Sequence, residues 1–394
     1  MTTTRGSASA RSAELAAAVH PLDGAASALI ALTPGMHHAI ERHPAAEAAS
    51  RRFEDARQGF TGGGGYLAAA AMGIPPVRSV EALREDLDLW AGGRRDAADY
   101  VALVERTRSH YARLVQVPAD RVAIGSQTSV LTSLIAAAVP AGAEVLVVDG
   151  DFTSMVFPFL QRNDITVRHV PVELLAEAVS ESTWVVAFSL VQSSTGVVAD
   201  ASAIADAAAR HGAFTFCDTT QAAGVLPVDA ALFDATVCHA YKWLCSPRGV
   251  AFLTVSPAFQ AELVPLHAGW YAGSDIWQSC YGPGMTLAAD ARVFDVSPAW
   301  QAWVGAEHSI ALFADLDPHD TWRWASGLGD SVCDRMGIER QGQAIVTWPD
   351  PDGRLLGLLG AAGIRATGRA GRLRLAFHLW NDEDDVDAVV RALA

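Results

Sequence analysis

The 394-residue chain is 51% apolar and 19% charged, with a formal net charge of −15, enough apolar content for a large buried core in two domains or in one domain with an appendage. The acidic balance, with no run of Lys and Arg, argues against nucleic acid and anionic membranes as partners, because their phosphates repel such a body. Five cysteines without a Cys-x-x-Cys pair argue against a metal site and for reduced thiols in a cytoplasmic protein.

The opening eleven residues lead into no apolar block, and the apolar stretch 25–32 is short, so neither signal peptide nor membrane span is expected. Residues 1–60 read as an extension, disordered for about the first twelve and then helical over 13–59, with breaks at Pro21, Pro34 and Pro44. Gly62-Gly63-Gly64-Gly65 precedes the small-residue segment 66–76, either as a flexible linker or as a place of close backbone approach.

From residue 100 the pattern alternates: helix to 115, strand 122–124, helix 129–138, strand 144–148, helix 155–161, then strands 166–170 and 184–190. Helix 201–211 and strands 215–217, 236–239 and 250–255 follow. This predicts an α/β fold over 61–315, a mostly parallel sheet whose near-continuously apolar strands are covered by helices on both faces. After about 309 the period turns helical; strands 344–348 and 373–377 then flank helix 353–362, and helix 384–393 closes a small C-terminal α+β domain over 316–394. In such a sheet, ligand groups line the carboxyl ends of the strands.

Two of those ends carry opposed groups. Asp218 closes one strand in Asp218-Thr219-Thr220-Gln221-Ala222-Ala223-Gly224, and Lys242 follows the next in His239-Ala240-Tyr241-Lys242-Trp243. An amine that can form a Schiff base with an aldehyde, and a carboxylate that keeps a pyridine nitrogen protonated, are the two handles pyridoxal 5′-phosphate requires. Upstream, Gly125-Ser126-Gln127-Thr128 joins a strand to a helix. Its backbone N–H groups could cradle a phosphate there, although a plain Ser or Thr cap would look the same.

Together Asp-x-x-Gln-Ala-x-Gly and His-x-Tyr-Lys-Trp resemble the class V aminotransferase group of fold-type I pyridoxal phosphate enzymes. That group includes kynureninases, cysteine desulfurases, isopenicillin N epimerase-like proteins and the carbon–sulfur lyase of ergothioneine biosynthesis. The resemblance covers roughly 66–394. It implies that Lys242 carries the cofactor and takes the Cα proton, and that Asp218 partners the ring nitrogen. Ser126 and Gln127 fall in the phosphate turn, Phe152 is placed to stack on the pyridine, and Gln221 to hydrogen-bond the phenolic oxygen. Gln192, Ser193 and Ser194 lie where relatives put groups near that oxygen or the substrate. His239 and Tyr241 resemble phosphate ligands, and Ser297 resembles the hydroxyl that reaches a partner's phosphate across a homodimer. In Leu373-Arg374-Leu375, Arg374 matches the arginine that grips the substrate α-carboxylate as a fork.

The departures bear on the reaction. Residues 360–371 hold no cysteine, which disfavours desulfuration through a persulfide, and Val296-Ser297-Pro298 lacks the Asn of kynureninases. The expectation is a lyase acting on a small-molecule amino acid after Cα deprotonation, with a carbon–sulfur bond the favoured target. An aminotransferase or epimerase of specialised metabolism is the alternative; a catalytically silent scaffold has no need of Asp218, Lys242 and Arg374. The aromatic stretch 267–303 reads as a substrate wall, core or dimer interface.

Overall fold

The computed structural model describes residues 44–394, with side chains from residue 48, and residues 48–394 make one compact unit. The expected disorder and the breaks at Pro21 and Pro34 lie outside the described residues, while the helix after the third break is α1, Pro44–Gln58.

The large sheet contains β1 (Val122–Gly125), β2 (Glu144–Val148), β3 (Thr166–Val170), β4 (Thr183–Ser189), β5 (Phe214–Asp218), β6 (Ala235–His239) and β7 (Ala251–Val255), in the order β1-β7-β6-β5-β4-β2-β3. Strands β2 to β6 pair in parallel. Strand β7 runs against both its neighbours, which leaves β1 pointing the same way as β6. The apolar runs are explained by burial on both sides. Val186 and Phe188 of β4 enter the core beneath α3 (Ala97–Leu114), α6 (Ala201–His211) and α7 (Trp300–Ala314), while Val185 and Ala187 enter the one beneath α4 (Thr128–Ala138) and α5 (Thr153–Leu160).

The sequence pattern placed these strands to within a residue or two but missed the helix Val77–Ala91 and began α7 too late. The consequence falls on the aromatic stretch. Trp300 and Trp303 sit on α7, where Trp300 stacks on Tyr100 at 4.9 Å and fully buried Trp303 packs edge-on against Phe252. Those two rings are core. Tyr271 is buried in the same core, with Trp270 packed against it and Trp277 next to Trp270, and Tyr281 stands in solvent.

After α8 (Pro318–Met336) comes the small antiparallel sheet, with β10 (Arg372–Ala376) between β8 (Ile345–Pro349) and β9 (Thr367–Arg369), flanked by α9 (Arg354–Ala361) and α10 (Glu383–Leu393). Leu373 and Leu375 of β10 are fully buried against the main core, which turns Arg372 and Arg374 to the other face. The segment after the glycine run joins this sheet, because Tyr66 and Ala68 bridge to Arg365 and Ala376. Among the described residues no helix is long and apolar enough to cross a membrane.

Candidate active site

Six strands of the large sheet share a direction, so the carboxyl ends of β1, β2, β4, β5 and β6 meet along one edge. Asp218 and Lys242 stand there, both nearly fully buried. Burial pushes the Asp218 carboxyl up to about 6, against the backbone and side chain of Thr220 and the charge of Lys242. Burial likewise pushes the Lys242 ammonium down to about 8, opposed by Asp218 and reinforced by the like charges of Arg374 and Arg369. The Lys242 amine has no hydrogen bond to a described residue; its Nζ lies 5.1 Å from the centre of the Phe152 ring and 5.8 Å from that of Tyr241.

The backbone under Lys242 is fixed from three sides. Gly73 N–H donates to Tyr241 O at 2.9 Å, and a Cβ at Gly73 would fall 2.0 Å from Lys242 O, so no larger residue fits without displacing the lysine. His378 Nε2 donates to Trp243 O at 2.9 Å while its Nδ1 accepts from Leu379 N. Trp243 Nε1 in turn donates to Gln221 Oε1 at 2.7 Å.

At the end of β1 the helix α4 begins with Gln127 as its N-cap, and no side chain caps the helix. Its first N–H groups are thus open toward the sheet edge, and they carry the positive end of the helix dipole. Ser126 is half-buried and Gln127 exposed, whereas Thr128, part of that turn but not singled out from the sequence, is buried. His239 is neutral at pH 7, its pKa pushed down to about 4 by burial and by the charges of Arg248 and Lys242, and its buried Nε2 has no hydrogen-bond partner. Its ring meets that of Tyr241 edge-on at 4.4 Å, and Arg248 stacks over Tyr241 at the same spacing. Ser297 is exposed on the segment after Asp295, which accepts from Ile124 N at 2.8 Å and so ties that segment to β1.

The ends of β2 and β4 are joined by Asp151. It accepts from Ser189 N at 2.8 Å, Ser189 Oγ at 2.6 Å and Phe152 N at 2.6 Å, which fixes the turn presenting the half-exposed Phe152 ring to Lys242. Gln192 reaches the same carboxylate only at 3.4 Å. Ser193 contributes its carbonyl, which accepts from Arg374 Nη1. Arg374, 2% exposed, also donates through Nε to Thr367 Oγ1 at 3.0 Å and has no carboxylate partner among the described residues. Burial, with Arg369 nearby, pushes its pKa down to about 10, still charged at neutral pH.

One sequence expectation narrows. The Gln221 amide accepts at Oε1 from Trp243 Nε1 and donates one Nε2 hydrogen to Ala70 O at 3.0 Å, so a single Nε2 hydrogen is left for any ligand. The sequence reading also missed Asp151 as the organiser of the Phe152 turn, since its partner Ser189 belongs to another strand, and Arg369, which no motif marks.

This edge fits pyridoxal 5′-phosphate. It offers a buried amine beside a buried carboxylate, uncapped helix N–H groups and an imidazole nitrogen buried without a partner.

Comparison with known proteins follows the same line. The family model described as Aminotransferase class-V matches residues 66–349. The chain is 26% identical over 277 residues to the isopenicillin N epimerase of Streptomyces clavuligerus, spanning 64% of this chain and 68% of that protein. It is 30% identical over 241 residues to the kynureninase of Deinococcus radiodurans, spanning 58% of each. Among solved structures, a cysteine desulfurase from Escherichia coli shares the fold with a TM-score of 0.75 at 21% identity, covering 86% of this chain and 97% of that one.

Proposed function

This chain belongs to the class-V aminotransferase family of pyridoxal 5′-phosphate enzymes, and from that premise we propose that it removes the α-proton of an amino acid and eliminates a substituent from Cβ or Cγ. The observation that carries the reading is Lys242, a buried amine with no hydrogen bond to a described residue, near Asp218; burial pushes its pKa down to about 8. Bound at this edge, the cofactor supplies an electron sink for a carbanion at Cα.

The residues divide the remaining work. Asp218 holds the proton on the ring nitrogen, and the one uncommitted Nε2 hydrogen of Gln221 serves the phenolic oxygen. Phe152 would be the residue that stacks on the pyridine. Ser126, Gln127, His239 and Tyr241, with the open end of α4, take the phosphate, and Ser297 meets the phosphate of a partner in a homodimer. Arg374 takes the α-carboxylate. Lys242 accepts the Cα proton and then returns it to the departing group. A base with a pKa near the working pH performs both transfers, so loss from Cβ asks for no second acid–base residue; loss from Cγ requires in addition that a Cβ proton be taken, which Lys242 would do after giving up the Cα proton. A carbon–sulfur bond is the first target to try. The match to the epimerase favours a second reading, in which the proton returns to Cα from the opposite face.

Turnover of an amino-acid panel in D2O, including cysteine conjugates and sulfoxides, separates these readings. Ammonia and an oxo acid formed without an added acceptor are expected. An absolute requirement for an oxo-acid acceptor would make the protein an aminotransferase, and deuterium at Cα with inversion and no ammonia would make it an epimerase.

A further inference from the structure

Building on the proposed reading of the site, we infer that the substrate carries a second anionic group at the end of its side chain, received by Arg369 and Arg372 beside the α-carboxylate fork of Arg374. The small sheet places these three arginines together. In its register Arg372 faces Arg369 across β9 and Arg374 faces Thr367, and directly opposed residues of an antiparallel pair project to one side. The Arg374 Nε bond to Thr367 Oγ1 confirms that side. Arg369 and Arg374 are then diagonal neighbours, with Cα atoms roughly 7–8 Å apart. The face looks toward the loop after β4, where Ser193 O accepts from Arg374 and Thr195 O from Thr347 Oγ1.

None of the three has a carboxylate within ion-pair reach among the described residues. Arg372 gives Nε and Nη2 to Thr347, and Arg369 gives Nη1 to the carbonyl of Gly368. Other arginines pair with acids, as Arg95 with Asp86, Arg106 with Glu307, Arg168 with Glu144 and Arg340 with Asp334, while Arg121 and Arg248 have no ion pair with a described residue either, so what sets these three apart is that they share one face. Three guanidinium groups on one face repel one another and, where buried, lose hydration, so the arrangement costs stability unless an anion completes it. A single α-carboxylate occupies one fork. The exposure gradient supplies direction, since Arg374 is buried, Arg372 half-buried and Arg369 exposed. The α-carboxylate lies deep and the second anion nearer the opening. The chemical class is an amino acid with a terminal carboxylate or sulfonate.

The test uses the holoenzyme and matched pairs that differ only in that charge: glutamate against glutamine and aspartate against asparagine. Binding is followed by the change in the cofactor's visible absorbance. The acid is expected to bind at least ~10-fold more tightly than its amide, that factor being about 1.4 kcal/mol. Arg369→Gln should abolish most of the preference by weakening the acid alone, Arg369→Lys should restore part of it, and cofactor affinity should stay unchanged. Equal binding of acid and amide to the wild type, or an equal loss of both in Arg369→Gln, would overturn the inference and leave the site reading intact. A protein that never acquires the cofactor band would remove that reading, and this inference with it.

Discussion

Behind β1, Arg108 and Asp295 are almost completely buried and spend their polar atoms on each other and on their surroundings. Arg108 donates to both Asp295 oxygens, to Val122 O and to Glu105, and Asp295 accepts a further bond from Ile124 N. Burial is the largest influence on Arg108 and works against its charge, but the charges and hydrogen bonds of Asp295 and Glu105 together outweigh it and raise the guanidinium's pKa. Asp218 and Lys242 are as deeply placed at the carboxyl edge, and burial raises the Asp218 carboxyl to about 6 just as it does that of Asp295; the difference lies in the cation, since burial lowers the Lys242 ammonium and leaves its amine without a hydrogen bond to a described residue. Among the described residues Arg374 has no carboxylate partner and His239 Nε2 has no hydrogen-bond partner. The first pair is complete without a ligand and serves the fold. The second region carries its charges at a cost to stability, which marks it as built for something that binds there.

The sharpest way to break that contrast is Lys242→Ala. Turnover should fall at least 10³-fold, roughly 4 kcal/mol or more at the barrier, and the visible band of covalently held cofactor should vanish, while the apoprotein's urea midpoint does not fall. A large drop in that midpoint would place Lys242 with Arg108 as a structural charge. Arg108→Met should do the reverse. Stranding Asp295 without its counter-ion costs about 3–5 kcal/mol, read as a lower urea midpoint, and whatever protein remains folded should still bind the cofactor.

Arg374→Lys comes next in size. A compact ammonium cannot reproduce the planar fork, so the KM of the amino acid should rise about 10- to 100-fold, a change on the order of 1–3 kcal/mol, with the cofactor band intact. Loss of the band in this variant would mean that Arg374 holds the cofactor rather than the substrate.

How far the sequence already showed this depends on the range of each signal. The strands were legible because burial on both faces writes a continuous apolar run, and Asp218 and Lys242 were legible because each sits directly after such a run. Arg374 emerged only through resemblance, since nothing local distinguishes a strand arginine that lacks an acid from one that has it. Arg369 left no signal. It closes a three-residue strand, and its meaning arises from cross-strand register with β10. Asp151 reads locally as a helix cap, while its principal bonds go to Ser189 on another strand. Trp300 and Trp303, among glycines and prolines, read as substrate wall, core or dimer interface until the helix carrying them packed them against the core.

The smallest effect tests the electrostatics directly. In the apoprotein the Asp218 carboxyl is raised from 3.8 to about 6, so between those values the folded chain binds more protons than the unfolded one. By linkage the contribution of Asp218 to stability falls as pH rises through that window and stays low above it. Asp218→Asn does not titrate. Relative to wild type, the variant apoprotein should therefore gain on the order of 1–2 kcal/mol between pH 4 and pH 7, measured from urea midpoints at the two pH values. It should also bind cofactor more weakly, because the amide cannot keep the ring nitrogen protonated. A variant that loses ground as pH rises would show that the Asp218 carboxylate is already satisfied by the fold, and the reading of this edge as carrying its charge at a cost would not stand.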